Sequence, residues 1–224
     1  NIVVGTAIRF QDYMNNPLAF ENLKMTLTSS SPLVRRAGLE SIRNLPKEQQ
    51  FKYALPLAND TVYGVRHMAN SLIYDMPVTN LSAEQQEVVK KARKEYINQL
   101  LYWQDRSLGL SSIGIAAIGL GKLDQAEDYF KKAIVYAKYI EDRKTNAQIG
   151  LAYVYLLKKE HKTAREYYNK LLIETKNKGY NYSVVNHAMG QLYFKTNEYD
   201  KSLICFKKVD SIYEIDNKNL EEFI

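Results

Sequence analysis

Small, aliphatic and aromatic residues recur at a constant spacing in the second half of the chain. A period of 38 superimposes like residues, as at positions 113, 151 and 189. The superimposed sets are Ile113, Leu151 and Met189; Gly114, Ala152 and Gly190; Ala126, Ala164 and Ser202; and Phe130, Tyr168 and Phe206. In each unit the aromatic residue follows the second small residue by about one helical turn, so both share a helix face. The pattern predicts three pairs of antiparallel helices that approach closely where their side chains are short.

The glycines of the first unit do not fit a phosphate-binding loop. Such a loop has the form GxxxxGK[ST], with a lysine directly after its last glycine. Here Leu120 follows Gly119, and Leu123 follows Lys122. Since the later units repeat the pattern without these glycines, we predict that Gly119 and Gly121 form a turn between two helices.

The three units, from about residue 107 onward, resemble the tetratricopeptide repeat, whose signature is a spaced series of Leu-Gly, Tyr, Ala, Phe and Ala. The matching residues are Ile113, Gly114, Gly121, Ala126, Phe130 and Ala133; Leu151, Ala152, Tyr155, Ala164 and Tyr168; and Met189, Gly190, Tyr193, Ser202 and Phe206. The family's usual period is about 34 residues. We therefore expect an extra turn in each second helix, through IVYAKYI (134–140) and LLIETKN (171–177).

The first hundred residues show a shorter period of 31, which aligns Val34 with Val65 and Arg35 with Arg66. SPLVRRAGLESIRNLP (31–46) resembles a HEAT-like helix pair, with Ser31 as a helix cap, and NDTVYGVRHMANSLIYDMP (59–77) repeats the plan with Asn59 or Asp60 as the cap. The two arginines fit either a ligand site or ion pairs with carboxylates in a neighbouring turn. The second role is the more usual one in stacked helices.

Residues 80–106 predict one long joining helix. Ser82 precedes Gln85 by three residues, as in a capping box, and an apolar stripe follows through Val88, Ala92 and Tyr96. Its basic patch consists of Lys90, Lys91, Arg93 and Lys94. This patch fits either a solvated helix face or a docking site for an acidic surface. The predicted fold is thus an all-α solenoid of helix-pair repeats, with HEAT-like repeats in 1–79, the joining helix in 80–106 and tetratricopeptide-like repeats in 107–224.

Composition and motifs do not indicate an enzyme. The net charge of +6 is spread along the chain, so we expect no nucleic-acid partner, and no stretch is apolar enough for a membrane span. His67, His161 and His187 lack zinc-site spacing, and the single cysteine, Cys205, permits no internal disulfide. We predict no catalytic residues, no metal and no cofactor.

The tetratricopeptide resemblance implies a scaffold that binds a protein or an extended peptide in a groove built by the first helix of each pair. The residues expected to face the groove are Asn146, Ile149, Tyr153, Leu156, His187, Gln191, Phe194 and Lys195. The family's carboxylate clamp is not reproduced, because Ser111 and Gly150 occupy positions where it has longer polar side chains. Alternatively, Tyr153 and Phe194 pack against KNLEEFI (218–224).

The order of the repeats is similar to that in the C-terminal half of a bacterial family in which they follow a multihaem cytochrome c domain. That resemblance implies a periplasmic docking or assembly module within a longer protein. Without it, we expect a cytoplasmic protein. A second functional hypothesis is a regulator that senses a peptide and controls an attached effector domain. The sequence leaves the oligomeric state open.

Overall fold

The computed structural model describes residues 17–176 and 179–209, with side chains from residue 21 onward. Every regular element in this part of the chain is helical, which confirms the all-α prediction. Contacts divide the chain into two compact units, Asn1–Gln99 and Leu100–Ile224. The finer division at residues 79 and 106 stays a prediction. None of the described helices has the length and apolar content needed to cross a membrane.

The N-terminal unit packs short helices in sequential pairs around one core. Its elements are α1 (Pro17–Leu27), α2 (Pro32–Ser41), α3 (Lys47–Ala54), a short 3-10 turn (Leu55–Leu57), α4 (Tyr63–Ile73) and most of α5 (Ala83–Tyr102). Helix α2 contacts α1 and α4, and α3 also contacts α4. Leu39, Ile42, Ile73 and Val89 are fully buried where these helices meet.

Arg35 and Arg66, which the shorter period aligns, make equivalent contacts. Each guanidinium donates to the backbone carbonyls five and six residues before it, which ties the preceding turn to its helix. Arg35 also donates to both carboxylate oxygens of Asp60, at 2.8 and 3.0 Å, and Arg66 donates to Glu95 at 3.3 Å. The hydrogen bond from Arg35 holds the pKa of Asp60 below its usual value. The contacts confirm the structural role expected of the two arginines.

The helix caps follow the sequence only in part. At α5 the predicted capping box is present, because the Ser82 hydroxyl accepts from the Gln85 amide and the Gln85 side chain accepts from the Ser82 amide. Ser31 precedes α2 but makes no side-chain capping bond. The cap predicted at Asn59 or Asp60 is wrong, because the residue that precedes α4 is Val62. Asp60 instead accepts from the Val62 amide at 2.8 Å and binds the arginine of α2.

The C-terminal unit consists of successive helix pairs. Its helices are α6 (Ser107–Gly119), α7 (Leu123–Tyr136), α8 (Glu141–Leu157), α9 (His161–Glu174), α10 (Tyr180–Lys195) and α11, helical over 199–209. First helices end at 119, 157 and 195, so their ends keep the period of 38.

The extra residues of each repeat lie in the first helices and the linkers. Second helices α7 and α9 have 14 residues each, so the prediction that they carry the extra turn is wrong. First helices lengthen from 13 residues in α6 to 17 in α8 and 16 in α10. Val135 and Ile173, near the second-helix ends, are 71% and 78% exposed. A further turn there would bury no additional apolar surface.

The turn between first and second helices has one conformation in all three pairs. Gly121 has φ of 70°, and an added Cβ would meet no atom within 4 Å. The backbone angle, not close packing, therefore favours glycine here. The equivalent residues of the next two pairs, Lys159 and Asn197, keep positive φ values of 65° and 61°. The turn predicted at Gly121 is confirmed, whereas Gly119 is the last residue of α6.

Aromatic rings and small residues bring the helices of the repeats together. The Phe130 ring is 1% exposed and lies between the backbones of α6 and α8. A Cβ added to Gly114 would lie 2.9 Å from Cε2 of this ring, and one added to Gly150 would lie 2.6 Å from Cζ. In the third pair Gly190 similarly faces Phe206, so the absence of a side chain at these positions sets how closely the helices approach.

Candidate binding surface

The first helices of the three pairs are neighbours, since α6 contacts α8 and α8 contacts α10. Equivalent residues project from the same side of each helix, as Ile115, Tyr153 and Gln191 do. We call this surface the first-helix face. It consists of Leu108 and Ile115 on α6, Asn146, Ile149 and Tyr153 on α8, and His187, Gln191, Phe194 and Lys195 on α10.

Five of the eight residues predicted to line a groove are exposed. They are Asn146, His187, Gln191, Phe194 and Lys195. Ile149 and Tyr153 are half-buried and pack partly against the core. Leu156 is buried, with 4% exposure, because it packs into the core cluster that α8 and α10 share. The structure therefore removes Leu156 from the set.

Two exposed apolar residues of α6 belong to the same face but were not among the predicted residues. Leu108 is 52% exposed and Ile115 is 59% exposed. Alignment at the period of 38 places Leu108 with Asn146 and Ile115 with Tyr153. This alignment was the signal that could have found them.

Few charges lie on the first-helix face. The Lys195 ammonium lies 5.6 Å from the centre of the Tyr153 ring, so it links α8 and α10 by a cation–π contact. Asp142, in the first turn of α8, accepts a hydrogen bond from the Asn181 amide at 2.7 Å. The His187 ring lies against Phe206, with 5.6 Å between the ring centres. The alternative contact with residues 218–224 lies outside the described residues.

The basic patch of α5 contains three exposed lysines and one arginine that is hydrogen-bonded within the protein. Arg93 donates to the backbone carbonyls of Tyr74 and Met76, at 2.7 and 3.1 Å. These hydrogen bonds connect Arg93 to the C-terminal end of α4, so its guanidinium is already engaged within the protein. Lys91 donates to the Asn59 side chain at 2.9 Å, and Lys90 lies 3.5 Å from Glu87. Lys94 is exposed.

Two carboxylates with strongly lowered pKa values form ion pairs between successive repeats. Glu127 on α7 accepts from Lys131 and Lys158, each at 2.6 Å, and these hydrogen bonds lower its pKa to about 2. The Tyr155 hydroxyl also donates to Glu127 at 3.2 Å, and burial raises the pKa of Tyr155 to about 12. A carboxylate so fully paired is a poor general base near neutral pH. We therefore assign Glu127 to the repeat interface.

The equivalent position of the next interface carries the opposite charge. Arg165, which the longer period aligns with Glu127, binds Glu198, and its guanidinium lies 5.2 Å from the centre of the Tyr193 ring. Hydrogen bonds from Lys201 and Arg165 lower the pKa of Glu198 to about 2. Within the described residues, no group of three or more His, Cys, Asp or Glu side chains is placed to hold a metal ion.

Comparison with known proteins identifies the repeats. Residues 110–137 and 184–216 match the tetratricopeptide repeat. These stretches fall on the first and third helix pairs, so the chain contains tetratricopeptide repeats within an all-helical fold. They give no support to HEAT-like repeats or to a relation with multihaem cytochromes. No curated protein and no solved structure matches the chain.

Proposed function

We propose that the tetratricopeptide repeats of the C-terminal unit hold an extended segment of a partner protein on the first-helix face, without catalysing a reaction. Tetratricopeptide repeats are protein-binding scaffolds, and this face is where three first helices of the chain meet. In the proposal, the chain is a docking or assembly module of a larger protein.

The observation that carries the proposal is exposed apolar area beside hydrogen-bonding groups. Leu108, Ile115 and Phe194 are 52–60% exposed although each lies on a helix with a well-packed opposite side. Covering them would contribute roughly 1–2 kcal/mol each, since about half of each side chain is still in water. Asn146 and Gln191 can pair with backbone groups of a bound segment, which would otherwise be buried unsatisfied.

A peptide-sensing regulator would use the same face, and the two hypotheses differ only in the domain to which this chain is attached. The competing surface is the lysine patch of α5. Its lysines are charged, but the apolar residues beside them on α5 are not exposed. Its arginine is already bound to the end of α4. The apolar character of the first-helix face therefore favours that face.

The test compares two sets of variants in a binding assay. The partner is captured from native extract by the full chain, identified and purified, and its affinity is then measured directly. We expect Ile115→Asp with Gln191→Ala to weaken binding by at least about 2 kcal/mol. The matched set, Lys90→Gln, Lys91→Gln and Lys94→Gln, should have little effect.

Exposed positions are preferable for this test. Tyr153→Ala would also remove packing against the core, so a lost interaction would not be separable from lost stability. Ile115 and Gln191 are exposed, so their variants should keep the melting temperature and the helical circular dichroism of the natural chain. If binding survives the first-helix variants and is abolished by the lysine variants, α5 is the docking site and the proposal is wrong.

A further inference from the structure

We infer that the segment bound on the first-helix face presents apolar side chains to α6 and an acidic side chain to Lys195 on α10. This inference rests on the proposed function and adds the chemistry and the orientation of the partner. It follows from a difference between the two outer helices of the face.

Helix α6 offers only apolar and small side chains. Its sequence, SLGLSSIGIAAIG, contains no charged residue. Leu108 and Ile115 are separated by about two helical turns, and both are more than half exposed. A charged side chain placed against this strip would lose hydration and find no partner. This end of the face therefore selects apolar residues.

Helix α10 presents donors instead. His187, Gln191 and Lys195 follow one another at intervals of four residues, so they form a row along one side of the helix. All three are exposed. The imidazole, the amide and the ammonium can each donate a hydrogen bond. The row is complementary to a negatively charged acceptor.

Lys195 differs from the lysines at the repeat interfaces. Lys158 binds Asp124 and Glu127, and Lys201 binds Glu198. Among the residues that the structure describes, Lys195 makes no ion pair and contacts the Tyr153 ring. A carboxylate above this ring would complete the pairing of the ammonium, while the ring shields one side of the pair from water.

Lys195 sets the position of the acidic residue along the helices. It is the last residue of α10. Antiparallel pairing places successive first helices in the same direction, so an acidic side chain is attracted to the edge of the face where the first helices end.

The experiment selects ligands without assuming their identity. Random peptides displayed by N-terminal fusion, and therefore lacking a free C-terminus, are selected for binding to the full chain. We expect recovered sequences to combine aliphatic or aromatic residues with Asp or Glu on one side of them. A consensus peptide with an amidated C-terminus is then measured by fluorescence polarisation, so that only a side-chain carboxylate can supply the charge.

Charge reversal tests the pairing. We expect Lys195→Glu to weaken binding at least about tenfold, and exchange of the peptide's acidic residue for Lys to restore it. The control is Lys170→Glu on the second helix α9, where an exposed lysine should change binding by less than about twofold.

The binding results distinguish failure of the acidic specificity from failure of the proposed function. If Ile115→Asp abolishes binding but Lys195→Glu does not, the face binds peptides and the acidic specificity is wrong. Selection of peptides without Asp or Glu has the same meaning. If no peptide is selected, or if neither substitution affects the selected peptides, the proposed function also fails.

Discussion

Replacing Gly150 with alanine should destabilise the C-terminal unit, although alanine is the better helix former. In an open helix position this change stabilises by about 0.5–1 kcal/mol. Here the added Cβ would lie 2.6 Å from Cζ of Phe130 and 2.8 Å from its Cδ1. The ring cannot move away freely, because Gly114 of α6 contacts its other edge. Overpacking of this kind costs about 1–3 kcal/mol, so we expect a net loss of about 1–2 kcal/mol.

The assay is urea unfolding followed by the fluorescence of Trp103, the single tryptophan of the chain, which lies in the C-terminal unit. A second background, Phe130→Leu, removes the ring atoms that clash. In that background Gly150→Ala should be neutral or stabilising, which gives a coupling energy of at least about 1 kcal/mol. Gly64→Ala in α4, followed by circular dichroism, is the control, because its added Cβ meets no atom within 4 Å. If Gly150→Ala is as well tolerated as Gly64→Ala while Phe130 is present, the packing argument is refuted.

Three further predictions concern ion pairs and the repeat itself. The pKa of Glu127 is lowered in the folded state, from 4.5 to about 2. The free energy of unfolding that Glu127 contributes, relative to Glu127→Gln, should therefore be complete above pH 4.5 and disappear as the pH falls towards about 2. Urea unfolding of both proteins across this pH range measures the difference. Arg35→Met should cost about 1–3 kcal/mol because it leaves the part-buried Asp60 carboxylate without its ion-pair partner, whereas Lys24→Gln, at an exposed pair, should change the urea midpoint little. Deleting residues 145–178 should yield an insoluble or partly unfolded product, since it exposes the faces of both flanking repeats; a soluble, cooperatively unfolding product would contradict this expectation.

The sequence predicted the repeats well because the packing positions recur. Small residues such as Gly114 and Gly190 and large rings such as Phe130 and Phe206 are read directly from the longer period. The position of the extra turn was not predictable in this way, because a period gives the length of a unit and not the helix that is longer. Val135 and Ile173, near the ends of the second helices, are exposed, which shows that apolar residues near a helix end do not require a further helical turn.

Side-chain partners were harder to predict than helices. Arg35 and Arg66 recur, so a shared structural role could be expected. The ion pair of Arg35 with Asp60 could not be predicted, because the two residues lie 25 positions apart in the sequence. Leu156 was expected on the groove because the tetratricopeptide resemblance places the groove on the side of the first helix opposite its small residues. Spacing gives the direction of a side chain from its own helix, whereas burial depends on the neighbouring helix, which the periodicity does not describe.

Positions that break the repeat fall into two classes, which differ in whether the side chain is paired with a neighbouring repeat. Glu127 and Arg165 occupy equivalent places with opposite charges, and each is paired across the interface to the next repeat. Ile115 and Gln191 also occupy equivalent places, but both are exposed, and in the described part of the chain no hydrogen bond or ion pair of either side chain joins it to a neighbouring repeat. If these side chains served only solubility, an exposed isoleucine at position 115 and a glutamine at the equivalent position 191 would not be required. The lack of repetition on the first-helix face therefore supports the proposed binding of a segment whose own chemistry changes along its length.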